Sequence, residues 1–276
     1  MSESNDGSLL GKTRQDLLQS ELFSSVWWKL NNVVFGIESK YRQRISGSKQ
    51  FSCPICLFDG GFVTDRSATG SRAYAQCPQC GSAERHRLQF LAMSELNDSM
   101  DYSEKSILHI APEASMGKVL SAWFGSYTTA DLNPDGVDFA IDLTSADVPD
   151  NSYDVLYASH VLEHIPDDHK ALAEIARIVK PGGFAILPVP LVGEFTIEYD
   201  SPVRAEFGHV RAPGYDYFDR FSKYFSRVQT YSSSDFDERY QTFIYEDRSR
   251  YPTRSCPYRM PSKGARHLDV VPVAFV

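Results

Sequence analysis

The chain has 276 residues, 42% of them hydrophobic and 13% aromatic, with a net charge of −8. That length suits one large core, or a main domain with a small satellite, and the composition is that of an ordinary globular protein. The acidic balance argues against a chain devoted to nucleic acid. The longest apolar run, Phe184–Val192, is nine residues with two prolines, too short for a bilayer. The first residues show no apolar stretch of signal-peptide length, so a cytoplasmic location with no membrane contact is expected.

Taken in chain order, residues 1–50 read as an N-terminal helical segment. Between Lys12 and Phe35, apolar residues such as Leu18, Leu22, Val26 and Leu30 recur at helical spacing. Residues 51–98 are a cysteine-bearing ribbon and its following helix. The spacing is Cys53-x2-Cys56-x20-Cys77-x2-Cys80, with each pair in a tight Pro-containing turn. Four soft thiolates aimed at one point suit a tetrahedral Zn2+, and a full shell of four makes that zinc structural. Cys256 stands alone as a thiol. Residues 41–90 carry seven Arg or Lys against three acids, a local +4, which allows a phosphate contact or a solvated face. "SAERHRLQFLAMSEL" then reads as a helix opened by Ser82.

From 104 to 247 the pattern alternates. Apolar runs at 106–110, 127–131, 137–142 and 153–159 read as strands, with a helix between the first two. "DDHKALAEIARIVK" reads as a helix stopped by Pro181-Gly182-Gly183, and "FAILPVP" as a fifth strand. Such alternation implies a parallel sheet covered by helices on both faces. Residues 190–212 lack regular pattern and should cover the site. "GYDYFDRFSKYF" looks helical, and "RVQTYS" and "YQTFIYE" pair plausibly as antiparallel strands. Residues 248–276 are left as a C-terminal tail.

His160-x-x-Glu163-His164 matches the zinc-peptidase pattern. It follows directly on an apolar strand, however, and Ile165-Pro166 interrupts any helix within a turn, so the peptidase reading is set aside.

The element order, with "NSYDVLYASHVLEHIPD" and "ALAEIARIVKPGG", resembles the class I S-adenosylmethionine-dependent methyltransferases, small-molecule branch, over about half the chain. "CPQCGSAERHR" followed by "ILHIAPE" resembles a subgroup with an N-terminal four-cysteine zinc ribbon. In that subgroup a His-x-Ala-Pro-Glu turn replaces the glycine turn. The resemblance implies an α/β Rossmann-like sheet, mostly parallel, with helices on both faces, an antiparallel C-terminal strand, an N-terminal helix and a small zinc ribbon. It implies S-adenosylmethionine as cofactor. Contacts would come from His109, Ala111 and Glu113 in the first turn, Asp131 with the ribose hydroxyls and Leu132 beside it. Asp142 and Leu143 would meet the adenine, and Ser159 and His160 the methionine end. "RAPGYDY" departs slightly from the subgroup's C-terminal motif.

Ala111 before Pro112 is expected to be extended, with Pro112 at the first helical position and Glu113 in the first turn. There its carboxylate would meet the cofactor's positive charges. A hydroxyl or amine acceptor needs a base, and His164 and His209 are the candidates. Glu198, Arg204, Arg211, Tyr215 and Tyr217 either shape an acceptor pocket or serve the fold. The acceptor would be a small molecule, a glycan-like compound or a polymer end group. Two other activities stand beside this one: a non-catalytic binding protein with the same fold, and an RNA or DNA methyltransferase guided by the ribbon. Nucleic acid is the less favoured partner, and the sequence leaves the oligomeric state open.

Overall fold

A computed structural model describes residues 49–67, 69–97 and 100–276; the amphipathic stretch near the N-terminus lies outside them. Two small hairpins come first, β1 (Phe51–Ser52) with β2 (Asp59–Gly60) and β3 (Val63–Arg66) with β4 (Ser71–Gln76). Their own apolar cluster is small, built on Phe51, Phe62, Cys53 and Cys77 with Ala75 buried nearby, too little to stand without a staple. The helix α1 (Glu84–Asn97) follows.

The remaining elements build one seven-stranded sheet. Its strands are β5 (Ser106–Ile110), β6 (Ser126–Asp131), β7 (Phe139–Ala140), β8 (Tyr153–Ala158) and β9 (Val179–Ile186), with two later ones. A separate hairpin, β10 (Ile197–Val203) with β11 (His209–Ala212), precedes β12 (Arg227–Ser232) and β13 (Val270–Phe275). Across the sheet the order is β12-β13-β9-β8-β5-β6-β7. β5 through β9 run parallel, and β13 lies antiparallel between β9 and β12. This is the mostly parallel Rossmann-like sheet with an antiparallel C-terminal strand expected from the sequence.

Strand alternation divides the core in two. Ile107, Val155, Phe184 and Val273 face α1 and α2 (Ala114–Trp123), packing on Leu88, Met93 and Leu120. Leu108, Leu156 and Ala185 face α3 (Asp168–Ile178), packing on Leu172, Ile175 and Phe221. Each large apolar side chain sealed this way contributes about 1.5–3 kcal/mol. The helix α3 starts where the Asp167 carboxylate accepts from the Lys170 N–H at 3.2 Å. The helix α1, grouped with the ribbon by sequence, is thus one of the helices that cover the sheet.

Several expectations need correction. The tail contains β13, a central strand, and its partner β12 pairs with it instead of with "YQTFIYE". That segment makes only isolated bridges at Tyr245 and Ile244. Pro272 hid the strand, since a missing N–H argues against a central position; here its carbonyl still accepts from Leu187 N–H at 3.3 Å. Pro181-Gly182-Gly183 is no helix stop either. α3 ends at Ile178, and the three residues form an irregularity inside β9. A Cβ on Gly183 would lie 2.3 Å from the Asp154 carbonyl oxygen, so the bulge requires glycine there. The 215–223 segment is helical, but in the tighter 3-10 form, and the cover at 190–212 holds the β10–β11 hairpin.

Candidate active site and metal centre

The two cysteine turns are built alike. Cys53 N–H donates to the Phe58 carbonyl and Leu57 N–H to the Cys53 carbonyl; Cys77 and Gly81 repeat this with the Ser82 and Cys77 carbonyls. Each turn closes on a left-handed residue, Leu57 at φ 61° and Gly81 at φ 74°. The turns bring Cys53 Sγ to 3.7 Å from Cys80 Sγ and Cys56 Sγ to 3.6 Å from Cys77 Sγ. A tetrahedron of thiolates around zinc has sulfurs about 3.8 Å apart. All five cysteines are free thiols, so the four fit a closed metal site.

The "ERHR" run beginning α1 couples this centre to the sheet. Glu84 receives Arg72 Nη1 at 2.7 Å. Arg87, fully buried, donates to the carbonyls of Ser82, Ala75, Tyr240 and Gln241. Arg85 Nη2 lies 2.5 Å and His86 Nε2 3.0 Å from Glu113 Oε1. His86 Nδ1 meets Ser115 Oγ at 2.9 Å, and Gln89 donates to Ser159 Oγ at 3.0 Å while accepting from the Tyr157 hydroxyl. Three ribbon-region arginines are therefore committed to internal partners. Sequence gave these residues to phosphate or solvent; the unusual density of large polar side chains at one helix start was the available signal.

The strand order reverses between β5 and β8, where ligands settle in open α/β sheets. Ile110 of β5 stands in register with Ala130 of β6 and Ala158 of β8. The next residues, Ala111, Asp131 and Ser159, therefore share one rim. Ala111 is left-handed at φ 49°, correcting the expected extended geometry, and His160 is left-handed at φ 56°. Such a conformation costs a non-glycine residue about 1–2 kcal/mol, and strain of this kind concentrates at functional sites. Ala111 thus takes the backbone shape for which glycine is the usual choice. Ala111 N–H donates to the Ala130 carbonyl, and His160 N–H to the Pro188 carbonyl, which fixes both corners.

Glu113 is the N-cap residue of α2, one step before the expected first turn, and its side chain makes no cap bond. Burial opposes its charge, but His86 and Arg85 outweigh this and hold its carboxyl well below the usual range. Its second oxygen, Oε2, is buried with no hydrogen-bond partner. Asp131 accepts from Asn133 N–H at 3.0 Å, and Asp142 accepts from Thr144 N–H and hydroxyl at 2.8 and 2.7 Å. Leu132 is 75% exposed beside Asp131, whereas Leu143 is buried. The carboxylates and apolar surfaces at this rim fit a nucleoside with vicinal hydroxyls, and Glu113 fits a cationic group.

His109 sits one residue short of the rim, in the layer beneath α1 and α2. It is fully buried, with Nδ1 3.0 Å from the Tyr127 hydroxyl. Burial pushes it down to about 4, the nearby Glu113 opposing weakly. The sign follows from linkage. An unfolded histidine protonates near 6.5 while the folded one resists until about 4, so stability is full above pH 6.5 and is lost on acidification. From pH 7 to pH 5 this group should remove about 2 kcal/mol, read as a lower urea midpoint, and His109→Gln should flatten that part of the profile.

On the other face of the rim, the HVLEH segment forms only a 3-10 turn, Leu162–His164, in keeping with the interruption expected at Ile165-Pro166. Glu163 is fully buried. His160 Nδ1 lies 3.2 Å from its Oε1, and His209 Nε2, arriving from β11, lies 4.0 Å away. The rings of His164 and His209 meet edge to face at 4.7 Å. So the two histidines singled out by sequence do come together, through a hairpin 45 residues downstream. Of the proposed acceptor residues, Tyr217 is buried on Asp168, Arg211 is buried against the turn, and Glu198 binds Arg211 and Arg220. Those three serve the fold. Tyr215 and Arg204 are exposed.

Residues 114–187 match a family model described as a methyltransferase domain. Among solved structures, the chain is similar to an S-adenosylmethionine-dependent methyltransferase from Mesorhizobium loti, at 12% identity and TM-score 0.45, covering 68% of this chain and 99% of that one. It is also similar to phosphoethanolamine N-methyltransferase 2 of Haemonchus contortus in complex with S-adenosyl-L-methionine, at 15% identity and TM-score 0.44, covering 68% and 52%. No curated protein matches. Among the described residues, no helix is long and apolar enough to cross a membrane.

Proposed function

We propose that the chain is an S-adenosylmethionine-dependent methyltransferase acting on an O or N nucleophile of a small molecule or polymer end group, with a structural Zn2+ on Cys53, Cys56, Cys77 and Cys80. One observation carries the reading: Asp131 and Asp142 follow successive parallel strands beside the switch point, next to the two left-handed corners at Ala111 and His160. The bound cofactor supplies an electrophilic methyl on a sulfonium. Asp131 accepts the ribose hydroxyls, and Asp142 with Leu132 and Leu143 holds the adenine. Glu113, already anionic, faces the positive methionine end with its free oxygen. Ser159 and His160 border the methyl. His164 and His209 are the groups available to an acceptor's proton, directly or through what they hold.

The commitment of Arg72, Arg85 and Arg87 to internal partners removes much of the support for a nucleic-acid substrate. Calorimetric titration of the zinc-loaded chain with S-adenosylmethionine tests the proposal. Binding is expected, weakened more than tenfold in Asp131→Ala, about 1.4 kcal/mol or more. A wild-type chain that gives no heat at millimolar cofactor overturns it and leaves the non-catalytic reading.

A further inference from the structure

Glu163 presents a problem that the methyltransferase reading does not solve. Its carboxylate is fully buried, and neither oxygen has a hydrogen-bond partner. A buried carboxylate without donors is among the costliest arrangements in a protein, worth several kcal/mol. His160 Nδ1 stands 3.2 Å from Oε1, which offers a counter-charge to one oxygen only if the ring is protonated. Oε2 has nothing. The arginines nearby are directed elsewhere: Arg211 to main-chain carbonyls and Glu198, Arg220 to Asp168 and Glu198. What does surround Glu163 is imidazole. Ligand atoms of Glu163, His164 and His209 all lie within 4.8 Å of one another. His209 turns Nε2 toward Glu163, its Nδ1 lying 3.9 Å from Glu206 Oε2, and His160 Nε2 is buried without a hydrogen-bond partner.

We propose that Glu163, His164 and His209 form a second metal site, separate from the cysteine centre, for a divalent first-row transition metal. Two imidazoles and one carboxylate make the donor set that selects zinc, iron(II) or their neighbours over magnesium or calcium. Donors about 2.1 Å from a metal stand about 3–3.5 Å apart, a contraction that side-chain rotation provides. The third donor does not come from the HxxEH segment; it comes from β11, which Arg211 fastens to the Leu162–Pro166 turn. His164 is the least buried of the three, so the remaining coordination positions open toward solvent. Their use by an oxygen of the methyl acceptor rests on the methyltransferase reading, whereas the metal itself does not. His160, held in its left-handed corner, then acts as a positioning residue on Glu163.

The test is metal titration of the full chain, with the cysteine centre kept loaded, using Zn2+, Mn2+, Ni2+ or Co2+ and element analysis after desalting. Two equivalents per chain are expected with at least one of these ions. Cobalt at the second site should show weak visible bands without the sulfur charge-transfer absorption of a thiolate site. Glu163→Gln and His164→Gln should each weaken the second equivalent more than tenfold and leave the first in place. His164→Gln changes the most open ligand and so separates lost binding from lost folding. Saturation at one equivalent with every ion, or two equivalents retained in both variants, overturns the proposal. S-adenosylmethionine titrated into the same samples reports separately, because intact cofactor binding with one metal refutes this site alone.

Discussion

Cys77→Ser should weaken cofactor binding through the helix that joins the cysteine centre to the rim. The ribbon hairpins β1–β2 and β3–β4 bury few large apolar side chains between them, so with the proposed zinc in place their fold should depend on the metal. A structural zinc typically supplies about 10–16 kcal/mol to such a module. When the ribbon opens, the first turn of α1 loses its fixings, since Arg87 is anchored on the Ser82 and Ala75 carbonyls and Glu84 on Arg72. That turn holds Arg85 and His86 against Glu113. The same helix holds Ser159 through Gln89. Two corners of the cofactor rim are thereby tied to the cysteine centre. The expected result is a fall of several kcal/mol in unfolding free energy and at least a tenfold loss of S-adenosylmethionine affinity, followed by denaturation and calorimetry. A cysteine variant is preferable to a chelator, which would act on both proposed metal sites at once. Glu113→Gln isolates the coupling: it leaves the ribbon intact and should weaken the cofactor alone. Affinity within twofold of wild type in both variants would show that the rim does not depend on this tie.

Much of this arrangement was legible in the residues. The four-cysteine spacing, the strand–helix alternation and the acids after the second and third strands each have a local signature, because turn chemistry and strand ends are set by neighbours in sequence. The failures share a cause. β13 carries Pro272 and β9 contains Pro181-Gly182-Gly183, so local rules predict an interruption where long-range pairing keeps the strand. Ala111 was expected to be extended because it precedes Pro112, yet the switch point imposes φ 49° and the surrounding sheet sustains it. The "ERHR" run looked like exposed charge. Each of its members has a partner 3 to 154 residues away, and no local pattern encodes such partners. His164 and His209 were chosen separately, one after a strand and one from the cover. Their meeting, and the buried Glu163 between them, depends on the β10–β11 hairpin, which the sequence left as irregular chain.

Arg211 is the side chain that fastens that hairpin to the turn after β8, alongside the Arg259–Glu206 and Arg220–Glu198 pairs, and Arg211→Ala is expected to be among the most damaging single changes around the sheet. Arg211 is 2% exposed. Its guanidinium donates to the carbonyls of Leu162, Ile165 and Pro166 at 2.6, 2.7 and 3.0 Å, and its Nε pairs with Glu198 at 3.0 Å. These carbonyls belong to the turn after β8, which carries Glu163 and His164, and the arginine itself belongs to β11, which carries His209. Truncation takes the guanidinium from three carbonyls in a buried space, leaving the Leu162 carbonyl only the Ile165 N–H, and leaves Glu198 with Arg220 alone. Removing one partner from a buried charged network costs about 3–5 kcal/mol, or at least 6–10 °C in melting temperature for a domain of this size. Arg211→Lys should recover little, because an ammonium offers a single donor centre where a planar fork meets three carbonyls and a carboxylate. The loss should also be selective. The β5 and β6 rim does not touch Arg211, so at temperatures where the variant is folded, S-adenosylmethionine should bind within a few-fold of wild type while second-site metal binding disappears. Stability and both ligands can be followed on one preparation. A variant within 1 kcal/mol of wild type would mean that the hairpin is held by other contacts; equal loss of cofactor and metal would mean that the two halves of the site form a single cooperative unit.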